Sequence, residues 1–212
     1  MINCNENVNT ELVARIADIF RQFGFEGASL MRISAGTGLG KGSLYHYFPA
    51  GKEDMANKVL LHVHQWFATH IFQPLEQENA RDALALMWRA VEDYFQSGKR
   101  ICLVGAFALD ATRDRFAAAI GGYFSRWIAA LDSALQRAGA DSATAGILAQ
   151  DVVAGIQGAL TLARALDDAE CFSRGLLRLK QRVEDQLPAA SPPVPELNAA
   201  GYRPAFPVFS RG

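Results

Sequence analysis

The sequence predicts an all-α fold, in which a small N-terminal three-helix domain precedes a larger helical domain. Apolar residues recur at helical spacing along most of the chain. No segment alternates convincingly between apolar and polar residues, as a half-buried strand would. Because the strand–helix units of an α/β nucleotide-binding fold are missing, the sequence favours helices alone.

The first three predicted helices are close together. Five apolar residues at helical spacing indicate the first helix: Leu12, Ile16, Ile19, Phe20 and Phe23. Gly24 follows them as the expected C-cap. Ser29 is the expected N-cap of a second helix that begins at Leu30. A third helix is predicted from about residue 41 to 47, because Pro49 prevents it from continuing.

The later helical patterns are separated by glycine, proline and aspartate. They cover about residues 53–75 with a stop near Pro74, 80–96, 102–109, 113–138, 142–166 and 169–187. The last stretch holds six of the eight prolines and predicts an extended tail, which we expect to be disordered. Its aromatic residues leave docking on the body open. The chain therefore divides into residues 1–52, 53–187 and 188–212.

Composition and charge exclude several classes of protein. The net charge is −1, so any nucleic-acid contact must come from a local patch. The start of the chain does not resemble a secretory signal, and the longest apolar run, residues 101–109, is too short to span a bilayer. Cys4, Cys102 and Cys171 are widely spaced, which argues against a disulfide framework or zinc cluster. We expect a cytoplasmic protein without metal or cofactor.

A glycine-rich stretch, GTGLGKGSLYHYF at residues 36–48, invites comparison with phosphate-binding loops. A Walker loop needs Ser or Thr directly after Gly-Lys, but here Gly42 follows Lys41, and Ala35 stands where the first glycine belongs. The dinucleotide pattern fails too, since Lys41 replaces its third glycine. No buried strand precedes the stretch. A helix, a glycine turn and a short helix instead predict a helix-turn-helix motif.

The chemistry of this motif suits contact with a duplex. Gly38 is expected to adopt a positive φ at the tight turn. Gly40 and Gly42 would let the start of the third helix approach a groove closely, with its free N–H groups near phosphate. Residues 27–52 contain three cations and no carboxylate, although the whole chain is nearly neutral. A solvated face of chance composition is the alternative.

The segment FRQFGFEGASLMRISAGTGLGKGSLYHYFPAGKEDMA resembles the DNA-binding domain of TetR-type transcriptional regulators. Spacing and residue types match over about the first sixty residues. Gly40 departs from the family, which commonly has a capping Ser there. Gly51 is an extra residue, and with the later LVGAFALDATRDRF it is similar to the LmrA/YxaF-like branch. The resemblance implies a regulator, usually a repressor, and not an enzyme.

The resemblance also implies roles for particular residues. Five would hold the DNA backbone: Ser29, Lys41, Tyr45, Tyr47 and Lys52. Four are candidates for contact with base edges in the major groove: Arg32, Gly42, Ser43 and His46. Alternatives remain for some of these, because Tyr47 and Phe48 can simply pack the third helix against the first. His46 can be an exposed residue with no partner.

Homodimerisation and effector binding are expected of the second domain. A dimer would read a palindromic operator, and the last two helices offer a surface in which small residues alternate with aliphatic ones. A core helix within one subunit is the alternative. The aromatic-rich middle segment predicts an apolar cavity for a small molecule that releases the DNA. The candidate effector residues are Trp66, Trp88, Phe95, Cys102, Phe107, Tyr123, Trp127, Gln157 and Thr161.

Three other functions are weighed against this one. Catalysis is not expected, because His62, His64 and His70 lack chelate spacing and no nucleophile motif is present. Cys102 follows Lys99 and Arg100, which would lower the pKa of its thiol and make an oxidant or electrophile the effector. A buried core cysteine is the favoured alternative. A helical binding module that does not touch DNA is the third possibility.

Overall fold

The computed structural model describes the backbone of residues 4–189 and the side-chain environments of residues 10–189. Every regular element in that part of the chain is helical, which confirms the all-α prediction. Cys4 and nearly all of the predicted tail at residues 188–212 lie outside the residues whose side chains are described.

The N-terminal helices begin and end close to the predicted residues. They are α1 (Cys4–Gly27), α2 (Leu30–Thr37) and α3 (Lys41–Tyr47). The helical path of α1 breaks at Gly24, with φ 68° and ψ 177°, before a last turn to Gly27. The Ser29 hydroxyl accepts a hydrogen bond from the Arg32 backbone N–H, so Ser29 is the N-cap of α2. Gly38 has φ 74° and ends α2, as the turn requires.

The predicted stop at Pro74 is wrong. Helix α4 (Lys52–Phe67) continues into a π-helical turn (Ala68–Phe72) and then α5 (Gln73–Gln77). Pro74 lies in the first turn of α5, where its missing N–H costs little because the change of winding already interrupts the regular hydrogen-bond ladder. The chain therefore remains helical for about one turn beyond the predicted break.

The remaining helices agree with the sequence pattern to within a few residues. They are α6 (Ala80–Tyr94), α7 (Leu103–Leu109), α8 (Ala117–Arg137), α9 (Ser142–Ala165) and α10 (Glu170–Gln186). Cys102 is the N-cap of α7 rather than its first helical residue. Residues Arg113–Phe116, predicted as the start of α8, form a separate 3₁₀ turn.

One continuous core joins the N-terminal helices to the rest. Helix α1 packs on α4 and α7, while α9 lies between α8 and α10. Four rings connect the two regions: Phe20 and Phe25 of α1 contact Phe107 of α7, and Phe25 and Phe107 also contact Phe116. Their centroids lie 5.3–5.9 Å apart. We call these four rings the aromatic joint.

Helix α9 is long and apolar enough to cross a bilayer by length and composition alone. Its packing between α8 and α10 accounts for that apolar character. Gly155 of α9 and Gly175 of α10 permit close approach of these two helices. A Cβ at Gly155 would lie 2.7 Å from Leu179 Cδ2, and one at Gly175 would lie 2.9 Å from Ala159 Cβ. Helix α9 is therefore a core helix of the folded chain on one of its faces.

Candidate nucleic-acid interface and ligand cavity

Helix α3 is attached to the body by one face and leaves the other face free. Leu44 and Phe48 are completely buried, so the packing role favoured for Phe48 is confirmed. Ser43, Tyr45 and His46 are exposed on the opposite side. Ser43, Tyr45 and His46 therefore present hydrogen-bonding groups outward from a short helix, whose position is fixed by its apolar side chains.

The start of α3 is uncovered. Gly40, its N-cap, has extended backbone angles and makes no side-chain capping bond. A Cβ at either Gly40 or Gly42 would meet no atom within 4 Å. The unpaired N–H groups of the first turn therefore face a space that a phosphate can enter.

The cations of this region are in different states. Lys41 is exposed and has no ion pair within the described residues. Arg32 folds back, with its guanidinium 4.5 Å from the Phe23 ring centroid and Nη1 donating to the Gly27 carbonyl at 2.6 Å. Arg32 is thus held near the surface by contacts that a duplex can replace.

Lys52 has a structural role that the sequence did not reveal. Its ammonium donates to the Phe25 carbonyl at 2.9 Å, lies 3.4 Å from a Glu26 carboxylate oxygen and sits 4.4 Å from the Phe25 ring centroid. It therefore ties the start of α4 to the end of α1. Lys58 similarly donates to the Tyr47 carbonyl at 2.7 Å. Phosphate contact by Lys52 stays a prediction.

The remaining predicted DNA contacts are consistent with more than one role. Ser29 uses its hydroxyl to cap α2 and is exposed at the same time. Tyr47 is half-buried against the core and packs edge-on to His46, with ring centroids 5.5 Å apart. Tyr47 is the last residue of α3 and Ser29 precedes α2, and the contacts of both with DNA stay predictions.

An apolar cavity of about 510 Å³ lies between α7, α8 and α9. Three of the predicted effector residues meet there: Cys102, Gln157 and Thr161. Small side chains of α7, such as Ala106 and Ala108, make the space. The sequence pattern did not indicate these alanines, because a cavity was expected beside large aromatic residues rather than small ones. The size and apolar lining are typical of a small-molecule site.

The other six predicted effector residues do not line this cavity. Phe95, Tyr123 and Trp127 are buried in a ring cluster around Phe67. Phe107 belongs to the aromatic joint. Trp66 stacks on His70, with centroids 4.4 Å apart, and Trp88 faces a groove between α6 and α10. Their effector roles stay predictions without support from the cavity.

The polar groups of the cavity are few and incompletely paired. Gln157 Nε2 is buried and makes no hydrogen bond, and the same holds for the Tyr123 hydroxyl in the core. Cys102 Sγ accepts from the Gly105 backbone N–H at 3.3 Å. Gly105 lies close to Gln157, since a Cβ there would lie 2.6 Å from Gln157 Oε1 and the amide would have to move.

The expected activation of Cys102 is wrong in direction. Burial raises the pKa of its thiol, and the hydrogen bond from Gly105 only partly opposes this. Lys99 and Arg100 precede it in sequence, but Cys102 itself is buried at the start of α7. The alternative of a buried core cysteine is confirmed, and a thiol of this kind is protonated at neutral pH.

The three neighbouring histidines do not form a metal site. His70 Nδ1 lies 2.8 Å from the Trp66 carbonyl, and His64 packs edge-on to Phe72. Burial and the nearby Arg21 lower the pKa of His62. Among residues with described side chains, no group of His, Cys, Asp or Glu has the arrangement of a metal site.

Comparisons with known proteins agree with this architecture. A model of the bacterial regulatory proteins of the tetR family matches residues 12–59, and a model of the LmrA/YxaF-like transcriptional regulator C-terminal domain matches residues 80–174. No curated protein sequence matches the chain significantly.

Solved structures share the fold at low sequence identity. A TetR regulator from Legionella pneumophila is 20% identical, with a TM-score of 0.72 over 89% of this chain and 99% of that one. A second, from Chloroflexus aurantiacus, is 21% identical, with a TM-score of 0.70 over 86% and 96%. A cysteine mutant of the regulator CifR, complexed with 26 bp double-strand operator DNA, is 22% identical, with a TM-score of 0.59 over 86% and 96%.

Proposed function

This chain belongs to the TetR family of transcriptional regulators, in its LmrA/YxaF-like branch, and on that premise we propose that it is an effector-controlled repressor that binds a palindromic operator as a homodimer. Members of the family are non-enzymatic DNA-binding transcription factors. The observation that carries the proposal is the uncovered glycine-opened start of α3 on a helix that Leu44 and Phe48 fix to the core.

The proposed DNA contacts follow from that surface. The first turn of α3 supplies backbone N–H groups and Lys41 to phosphate, while Ser43 and His46 face base edges. Arg32 exchanges its contacts with Phe23 and Gly27 for contacts with the duplex. Tyr45 is exposed beside Gly51, whose φ of 70° allows the tight connection between α3 and α4. Among residues 10–189, the cations of residues 27–52 have no carboxylate within 4.0 Å except that of Glu26, which lies beside Lys52.

The homodimer is proposed to form through the outer faces of α9 and α10. Leu148 and Ile156 of α9 are buried, whereas Ile147 and Leu162 of the same helix are exposed, as is Leu166 directly after it. Leu177 is exposed on α10. Several large apolar residues uncovered on two adjacent helices indicate a surface that another molecule covers. A two-fold axis there would pair identical surfaces and present two copies of α3.

Helix α7 is proposed to connect effector binding to DNA release. Ala106 and Ala108 line the cavity, while Phe107 between them reaches the aromatic joint and contacts Phe20 and Phe25 of α1. A ligand that displaces α7 would therefore move α1 and with it α3. Release requires that the ligand binds more tightly to the form with the wrong spacing of its two DNA-binding domains.

The test is selection of bound duplexes from a random pool by the full chain, which we expect to act in the cytoplasm. We expect the selected duplexes to be palindromic and to bind two copies of the chain, with an affinity that falls steeply as salt rises. The absence of any selected sequence, or binding insensitive to salt, would refute the proposal and favour a binding module that does not touch DNA.

The oxidant-sensing alternative has a separate test. Replacement Cys102→Ser leaves a group of nearly the same size in the cavity wall. Because the Cys102 thiol is buried with a raised pKa, we expect electrophiles to release the operator equally poorly from both proteins. Fast release from the unmodified protein that disappears in Cys102→Ser would overturn this expectation and establish the thiol as the sensor.

A further inference from the structure

A basic cleft adjoins the apolar cavity. It has a volume of about 360 Å³ and lies between α1, the connection from α6 to α7 and the end of α9. Ile101 and Arg164 line both the cavity and the cleft, so the two spaces are neighbours with a shared wall. The cavity is almost entirely apolar, whereas most of the residues that line the cleft are polar or charged.

The charge of this cleft is predominantly positive. Arg21, Lys99, Arg100 and Arg164 line it together with a single carboxylate, that of Asp18. Asp18 is already paired with Arg21 at 2.7 Å. Within the described residues, the other three cations have no carboxylate within 4.0 Å, and Arg100 donates only to a backbone carbonyl, that of Tyr94. Positive charge is therefore left uncompensated beside an apolar space.

Two buried donors without partners lie along the same path. The Arg21 side chain is only 12% exposed, and its Nε is buried and makes no hydrogen bond. Gln157 Nε2, in the wall of the cavity, is also buried and unpaired. A buried donor without an acceptor costs free energy, and native structures avoid it unless a ligand or water completes the pair.

We propose that the effector is an apolar molecule that ends in an anionic head group, with its tail in the cavity and its head in the basic cleft. The inference rests on the proposed function, because it names the class of effector of that site. Gln157 would donate to a polar atom near the junction, and Arg21, Arg100 and Arg164 would compensate the charge of the head. A neutral apolar molecule would leave the cleft unused.

This placement gives the head group a direct contact with the DNA-binding region. Asp18, Arg21 and Gln22 of the cleft belong to α1, whereas the tail would contact α7, α8 and α9. An anion that binds Arg21 competes with Asp18 and with the Tyr94 hydroxyl, which accepts from Arg21 at 3.2 Å. Head-group binding would therefore alter the contacts of α1 with α6 while the tail acts on α7.

The experiment compares three probes by calorimetry on the full-length free protein: dodecanoate, dodecanol and acetate, each below its aggregation limit. Dodecanoate is expected to bind at least about tenfold more tightly than dodecanol, with an affinity that falls as salt rises. Acetate, which has the head without the tail, is expected to bind too weakly to measure. Equal binding of dodecanoate and dodecanol, or no binding of dodecanoate, would overturn the inference.

Two kinds of variant locate the site. Arg164→Gln is expected to weaken the binding of dodecanoate about three- to fivefold, because it removes one partly exposed charge. The double variant Lys99→Gln/Arg164→Gln is expected to weaken it about tenfold. Arg89→Gln, an exposed charge on α6, is the control with no expected effect. Ala106→Phe fills the cavity and should abolish binding of the tail. An unchanged dodecanoate affinity in Ala106→Phe, with the helical spectrum intact, would contradict the proposed site.

Operator binding is measured separately on the same proteins. If dodecanoate fails to bind while the protein still binds a selected duplex, the inference is wrong and the proposed function stands. If no duplex is bound but dodecanoate binds with the expected charge dependence, the inference holds and the proposed function fails.

Discussion

Replacement Gly42→Ala should stabilise the free protein and weaken its binding to DNA. Gly42 is the second residue of α3, it is exposed, and a Cβ there would meet no atom within 4 Å. Its φ is not in the positive range, so alanine fits without backbone strain. Alanine is favoured over glycine by about 0.5–1 kcal/mol in a helix, and the gain here is of that order.

The same methyl group should be unfavourable in the complex. If the backbone of α3 lies against the duplex at Gly42, the added carbon pushes the first turn away from phosphate. Weakening one hydrogen bond costs about 1 kcal/mol, so two copies in a dimer cost about 2 kcal/mol. That corresponds to roughly 30-fold weaker operator binding, because a factor of ten corresponds to about 1.4 kcal/mol.

Two assays at one protein concentration separate these effects. Thermal unfolding of the free protein should shift upward by a few degrees, since about 1 kcal/mol corresponds to about 2–4 °C in a domain of this size. Fluorescence anisotropy with a selected duplex should show the loss of affinity. Gly121→Ala in α8 is the matched control, because its Cβ also meets no atom within 4 Å and it lies outside the three N-terminal helices.

A gain in stability together with a loss of operator affinity distinguishes a contact with DNA from a general effect on folding. Gly121→Ala should stabilise the protein and leave operator affinity unchanged. If Gly42→Ala behaves like this control, the backbone of α3 does not approach the duplex, and the proposed recognition surface is refuted.

Three further predictions concern other parts of the molecule. Lys52→Met keeps the aliphatic stem but removes the hydrogen bonds to the end of α1. The urea midpoint of unfolding should therefore fall by an amount equivalent to about 1 kcal/mol of unfolding free energy. An unchanged midpoint with weaker DNA binding would instead assign Lys52 to phosphate contact. Leu162→Asp places a charge on an apolar side chain of α9 that is 52% exposed, and sedimentation should show monomers with an unchanged helical spectrum; a persistent dimer would place the interface elsewhere. Burial and Arg21 lower the pKa of His62 in the folded chain, so the unfolded chain binds the proton more readily and stability should fall as pH drops below about 6.5. Burial and Arg126 also lower the pKa of His64, so His62→Gln should reduce that pH dependence between pH 8 and pH 5 without abolishing it, and an identical dependence in both proteins would show that His62 does not contribute.

Local chemistry explains why the N-terminal helices could be predicted closely. Ser29, Gly38 and Pro49 act on their immediate neighbours through a cap, a positive φ and a missing N–H, so a single sequence is sufficient to place them. Pro74 shows the limit of that reasoning. Its effect depends on the hydrogen-bond pattern of the preceding turn, which is π-helical for reasons that the proline itself does not reveal.

The cavity was harder to predict because it depends on what packing leaves empty. Large aromatic residues suggested a ligand site, but Trp127 and Tyr123 are core residues. The space is made by alanines of α7 facing α9, and their importance appears only when the two helices are placed together. The pKa of the Cys102 thiol differs from the prediction for a similar reason, since the sequence neighbours of Cys102 are basic but the fold buries it.

The division of α9 into two faces separates the stability of a subunit from its choice of partner. Gly155 and Ala159 serve close packing inside the chain, whereas Ile147 and Leu162 contribute little to that interior. Substitutions at the outward positions can therefore accumulate without unfolding the subunit. In a cell that holds several regulators of this architecture, this outward strip is where evolution can prevent mixed pairs and keep each regulatory circuit independent.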